Sequence, residues 1–151
     1  MEHLDQHAQL DAVRGIPYQA MDCASLEAGL AQGARVVLAV HPNNPTGQYV
    51  PQRFRDSLKT ALTEREGALI VDEVFYDYQL CDETPLSAIA IDSVLTFTLN
   101  GISKTLGLPQ MKLSWVIVGG PDDLVRSAGD RLDIIADTYL SVSTPIQLAL
   151  K

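Results

Sequence analysis

Residues 35–47 read Arg-Val-Val-Leu-Ala-Val-His-Pro-Asn-Asn-Pro-Thr-Gly. The first part, Arg35 to Val40, is apolar and β-branched without alternation. Such a run suits a parallel strand buried on both faces, because crossover helices cover both sides of a parallel sheet. The second part, His41 to Gly47, changes character at once. Its prolines, asparagines and glycine make a rigid loop whose polar groups leave the sheet end. The pattern recurs twice. Ala68 to Val71 runs into Asp72-Glu73-Val74-Phe75-Tyr76-Asp77-Tyr78, and Val94 to Leu99 into Asn100-Gly101-Ile102-Ser103-Lys104-Thr105-Leu106-Gly107.

Helical stretches separate these strands. Pro51 starts one that runs through Leu58 and Leu62 to Glu66, with Gly67 as its stop. Pro85 to Ile91 reads as a short helical turn. Ser114 to Val118 is a further strand, with Trp115 expected in the core beside it. Gly119-Gly120-Pro121 breaks it, and Asp122 and Asp123 suit a helix start. Leu124, Val125, Ala128, Leu132 and Ile135 follow at helical spacing. Thr144-Pro145 opens a last helical segment. Towards the front, Ser25 caps a helix through Leu30 that Gly33 stops. Val13 to Gln19 is a weaker strand candidate, interrupted by Gly15 and Pro17. The alternation predicts an α/β fold: three layers, a mostly parallel sheet with helices on both faces.

The composition agrees. The chain has 151 residues, 46% hydrophobic and 20% charged, which excludes disorder and collagen-like structure. A domain of this size buries roughly 68–70% of the surface of its unfolded chain. The net charge of −8 opposes nucleic acid and anionic membranes as partners, since both demand a positive field. No stretch approaches the ~20 apolar residues of a membrane span. Cys23 and Cys81 are too few for a disulfide framework, and the polar start lacks a signal peptide's apolar run. A cytoplasmic location is expected. His3, His7 and His41 show no metal-ligand spacing with either cysteine, so no metal site is expected.

In open α/β sheets, function gathers beyond the C-terminal strand ends. There the chain offers an amide at Asn44, a carboxylate at Asp72 and an amine at Lys104. Each has a bland alternative: a strand-to-helix turn, a helix cap and a surface lysine. The acidic pair Asp72-Glu73 is costly at a buried strand end unless a cation or a donor meets it. Spacings of 28 residues from Asn44 to Asp72 and 32 from Asp72 to Lys104 are each about one βα unit, so the three groups can meet at one sheet edge. An amine that holds an aldehyde and a carboxylate that keeps a pyridine nitrogen protonated are the needs of pyridoxal-phosphate chemistry.

With these motifs the chain resembles the class I/II aminotransferases, which have the fold-type-I pyridoxal-phosphate fold. The resemblance rests on Asn43-Asn44-Pro45-Thr46-Gly47, Val71-Asp72-Glu73-Val74-Phe75, Ser103-Lys104 and Leu108-Pro109-Gln110-Met111-Lys112-Leu113. It implies that Lys104 is the Schiff-base lysine and proton shuttle, and that Asp72 pairs with the pyridinium nitrogen. Asn44 would bond the cofactor's phenolic oxygen, and Ser103 and Lys112 would bind the phosphate of pyridoxal 5'-phosphate. Amino acid and 2-oxo acid substrates, and a homodimer of the full-length protein, are implied too. So is a partial large domain over residues 1–151, with the N-terminal arm and C-terminal small domain absent. A chain supplying only part of the sheet is expected to be less stable than a natural domain of its size.

Three positions depart from the family. Phe75 stands where a tyrosine usually donates to the phenolic oxygen. Lys112 replaces an arginine and loses its bidentate fork. Gly101 stands where some relatives have a phosphate-binding serine. The segment from Tyr139 to Pro145 resembles the family's segment near the dimer interface and cofactor, or is a loop and cap. Two other readings remain open: a truncated, non-catalytic fragment that at most binds the cofactor, and a pyridoxal-phosphate lyase of the same fold. A nucleotide-binding domain is disfavoured, because no Gly-x-Gly-x-x-Gly follows a strand.

Overall fold

The computed structural model describes residues 23–79, 86–139 and 142–150. The elements run α1 (Cys23–Ala31), β1 (Val36–Val40), α2 (Gln52–Glu64), β2 (Ala68–Asp72), a 3-10 turn (Ala88–Ala90), β3 (Leu95–Gly101), α3 (Ile102–Thr105), a second 3-10 turn (Pro109–Met111), β4 (Ser114–Gly119), α4 (Asp122–Tyr139) and α5 (Thr144–Ala149). The Val13–Gln19 strand candidate lies outside the described residues. Tyr139 to Pro145 lies partly outside them.

The sheet has four strands in the order β1-β2-β3-β4. The first three are parallel, with Val40 opposite Asp72 and Asp72 opposite Leu99. β4 is antiparallel to β3, with Gly101 opposite Ser114. The sheet is therefore mixed, as a mostly parallel sheet allows. The reason is the connection. A parallel return needs a crossover to the other end of the sheet. Here residues 102–113 stay at the end where β3 finishes, and the Ile102 amide donates to the Leu113 carbonyl at 3.1 Å.

One face of the sheet is densely covered. Ala39, Leu69 and Val71 pack under Phe54, Leu58 and Leu62 of α2, with Leu30, Val50, Ala88, Ile91 and Val94 completing the core. On the other face Leu95 and Phe97 meet Leu124, Ala128, Leu132 and Ile135 of α4 across an open groove of about 370 Å³. Helices thus lie on both faces, but the covering is unequal. Leu38 is 69% exposed and Ile134 68%. The expectation that the Arg35–Val40 run is buried on both faces is corrected. α4 lies over β3, and β1 is separated from β3 by β2. Trp115 is likewise not in the core: it is 38% exposed, because β4 ends the strand order among the described residues.

Two glycines fix close approaches. Gly67 does not supply the left-handed residue after α2; Glu66 does, at φ 49°. A Cβ on Gly67 would lie 2.7 Å from the Arg35 carbonyl oxygen and 2.7 Å from Leu62 Cδ2. A Cβ on Gly101 would lie 2.8 Å from the Leu113 carbonyl oxygen and 3.0 Å from Ser114 Cα. Backbone cannot yield as a flexible side chain can. A side chain at Gly101 does not fit without displacing the returning strand.

Candidate functional site

The C-terminal ends of β1, β2 and β3 lie side by side, as the parallel register requires. β2 is the middle strand, so Asp72 stands between the loop that carries Asn44 and the turn that carries Lys104.

The β1 loop folds on itself. Asn43 Nδ2 donates to Thr46 Oγ1 at 2.9 Å, and the Gly47 amide donates to the Asn43 carbonyl at 2.7 Å. Asn44 is left exposed on the wall of a cleft of about 320 Å³ lined by Pro42, Asn43, Pro45, Gly47, Phe75 and Tyr78 as well. Lys104, on α3 after β3, meets one wall residue of this cleft, Phe75. Its Nζ lies 5.4 Å from the centre of the Phe75 ring, within cation–π range. Its carbonyl accepts a hydrogen bond from the Tyr78 hydroxyl. Ile102 anchors the short α3 in a small cluster with Leu113 and Ile146. Asn100 Oδ1 accepts from the Gly101 amide at 2.7 Å and from Thr105 Oγ1 at 3.3 Å.

Asp72 Oδ1 accepts from the Val74 amide at 3.0 Å. That settles how far the capping alternative holds: Asp72 caps a run of turns, not a helix. Oδ2 carries no hydrogen bond among the described residues. Ser103 is half-buried, and Lys112 is exposed with φ 53° after the second 3-10 turn. Each lies one residue from the Ile102–Leu113 hydrogen bond, so they share one hairpin. The structure thus puts Asn44 and Phe75 on one cleft and Lys104 over the Phe75 ring, with Asp72 on the strand between; neither Lys104 nor Asp72 lines the cleft itself. It shows no direct contact of Ser103 or Lys112 with that cleft.

Behind the strand ends sits a buried polar cluster. Glu73, 3% exposed, accepts from Ser87 Oγ at 2.7 Å and from the Ala88 amide at 2.7 Å. Arg55 of α2 donates to the carbonyls of Leu86 and Ser87. The acidic pair has therefore met the donors that its burial requires, and the pair is split: Glu73 faces the cluster while Asp72 keeps an oxygen clear. Burial pushes the Glu73 carboxyl above its ordinary value, against the Ala88 and Ser87 hydrogen bonds and the Arg55 charge. Burial also lowers Arg55, opposed chiefly by Glu73. His41 is 2% exposed. Burial, then the Arg55 charge, lowers it to about 4, and the Leu86 carbonyl opposes the shift.

Sequence reasoning assigned no role to Tyr78, Arg55, Ser87 or His41. Arg55 carried a signal, as a buried cation beside the Phe54-Leu58-Leu62 stripe. Tyr78 carried none, because its partner lies 26 residues away. Among the described residues no cluster of metal-binding side chains occurs, and no helix is long and apolar enough to cross a membrane.

Comparison with known proteins adds the family. The glutamate-pyruvate aminotransferase AlaA of Escherichia coli is 26% identical over 132 residues, 86% of this chain and 32% of that protein. Capreomycidine synthase of Streptomyces vinaceus is 32% identical over 106 residues, 70% of this chain and 26% of that protein. The structure of an alanine aminotransferase from Pyrococcus furiosus superposes with a TM-score of 0.71 at 26% identity, over 85% of this chain and 33% of that one. The chain spans about a quarter to a third of the length of these relatives. The profile of the family described as aminotransferase class I and II matches residues 4–151, and to that family the chain belongs.

Proposed function

We propose that this chain is the central part of the cofactor-binding large domain of a pyridoxal-phosphate-dependent aminotransferase. The parent protein would transfer an amino group between an amino acid and a 2-oxo acid. The observation that carries the reading is the arrangement at the sheet end. The Lys104 amine sits over the ring of Phe75, Phe75 shares a cleft with Asn44, and the Asp72 carboxylate is on the strand between. This donor set fits the cofactor: an amine, a carboxylate with one unengaged oxygen and an exposed amide.

When bound, the cofactor supplies an aldehyde that an amine can bond and a ring that accepts electrons. Lys104 would hold that aldehyde and, once the substrate's amino group has displaced it, would as a free amine carry the proton to and from the substrate's α-carbon. Asp72 would hold a proton on the ring nitrogen through Oδ2, the charge partner that makes the ring electron-poor. Asn44 would donate its amide to the phenolic oxygen. Phe75 cannot donate there and instead holds the lysine by its ring face. Ser103 and Lys112 would meet the phosphate from the 102–113 hairpin. The low count of two cysteines supports a cytoplasmic setting, and the resemblance supports a homodimer of the full-length protein.

A second reading is a chain that binds the cofactor without turnover. Titration with pyridoxal phosphate, followed by absorbance, tests the shared part. Saturable uptake that Lys104→Ala abolishes is expected, and no saturable uptake overturns it. Added amino acid and 2-oxo acid then separate the readings. Trace turnover or none is expected from this chain alone, and turnover at the rate of a complete enzyme would contradict the second reading.

A further inference from the structure

We propose that His41 is a positioning residue: it staples the loop that carries Asn44 into the conformation that presents this amide to the cofactor, a role that rests on the function proposed above. The loop from His41 to Val50 is closed at its base by one side chain. The Val50 amide donates to His41 Nδ1 at 2.9 Å, a buried hydrogen bond. The His41 amide donates to the Asp72 carbonyl at 2.8 Å. One residue thus joins the two ends of the Asn44 loop and ties both to the strand that carries Asp72. The ring is held from two sides, with Tyr49 edge-on at 5.2 Å and Tyr76 tilted at 5.8 Å between centroids.

The staple works in one protonation state. Accepting from Val50 requires an unprotonated Nδ1, so the neutral ring carries its proton on Nε2. An imidazolium would turn Nδ1 into a donor and set it against the Val50 N–H. The groups facing the ring oppose such a charge only in part. Arg55 on α2 repels it; Glu73, with Asp77 beyond, is the anionic partner of Arg55 and not of the ring. Tyr49 and Tyr76 are neutral neighbours.

The test compares the chain with His41→Phe, which removes the acceptor, and His41→Asn, which offers an amide oxygen near the Nδ1 position and cannot be protonated. Amide hydrogen exchange is read first, without cofactor. In His41→Phe, exchange across residues 43–50 should rise at least about tenfold while the amides of α2 and β2 keep their protection. His41→Asn should restore it. On lowering the pH from 7 towards 4 the native chain should lose protection in this loop first, and His41→Asn should not.

Cofactor affinity is read second. His41→Phe should weaken pyridoxal phosphate binding by about tenfold, Asn44→Ala should weaken it as well, and the double variant should be no weaker than the weaker single variant. Unchanged exchange at 43–50 in a folded His41→Phe overturns the staple. Should His41→Phe not fold, a native chain whose loop exchange follows the rest of the fold at every pH overturns it equally. Normal affinity in His41→Phe beside weakened Asn44→Ala overturns the positioning role. A native chain that takes up no cofactor overturns the proposed function and this role with it.

Discussion

His41 and Asn44 stand three residues apart in one loop and have opposite surroundings. His41 is 2% exposed, packed between two tyrosines and held by a buried hydrogen bond. Asn44 is exposed on the wall of the cleft. Asp72 and Glu73 repeat the contrast at the next strand. The Glu73 carboxylate is saturated by Ser87 and Ala88, whereas Asp72 commits one oxygen. The ends of β1 and β2 thus each have an inward residue that hydrogen-bonds within the fold, His41 through Nδ1 and Glu73 through both oxygens, and a more exposed residue close by in the chain. Stability and chemistry are assigned to different residues of the same short motifs, so they should respond to different substitutions.

The largest expected effect is on the inward side. Glu73→Ala removes the acceptor of the Ser87 hydroxyl and of the Ala88 amide and the anion beside Arg55, and should cost about 3 kcal/mol in denaturant unfolding. A loss under ~0.5 kcal/mol, the range of an ordinary surface change, would erase the contrast. Gly101→Ala should cost about 2 kcal/mol by forcing β4 away from β3, and should loosen the 102–113 hairpin that holds Lys104.

The pH dependence sharpens the comparison. His41 falls to about 4 in the fold from 6.5. Between those values the unfolded chain binds more protons, so the His41 contribution to stability, full above pH 6.5, is lost as the pH falls towards 4. That loss is on the order of 3 kcal/mol. Glu73 is raised and acts with the opposite sign: above the ordinary carboxylate value, its contribution falls as the pH rises. The difference between the native chain and His41→Asn isolates the histidine, and a difference that does not change with pH contradicts the assignment.

Thr98 tests the core alone. Its buried hydroxyl has no hydrogen-bond partner among the described residues, so Thr98→Val should stabilise by about 1 kcal/mol without altering cofactor uptake. Lys104→Ala should do the reverse, changing stability by less than ~0.5 kcal/mol while abolishing uptake.

The strands read at 35–40, 68–71, 94–99 and 114–118 were legible because each is a short apolar run between turn formers, and the structure extends the last three by one or two residues. Two kinds of fact were not legible. The first is how much covers a strand: Val36 and Leu38 read like core residues, but β1 lies away from α4, and no local pattern carries that placement. The second is long-range pairing. Arg55 meets Leu86 and Ser87 more than thirty residues on, and Glu73 meets the same segment, so the cluster behind the site exists only after folding. Gly101 lay between the two. Its departure from serine was visible, but the reason, a backbone 2.8 Å away, was not.

The most direct test of the central claim is chemical trapping. The chain is incubated with pyridoxal phosphate, reduced with borohydride, and the labelled peptide is mapped. The account predicts label on Lys104, strongly reduced in Asp72→Ala and Asn44→Ala and retained in Thr98→Val. Label scattered over the exposed lysines, or no label, would mean that the sheet end is folded as described yet holds no working cofactor site.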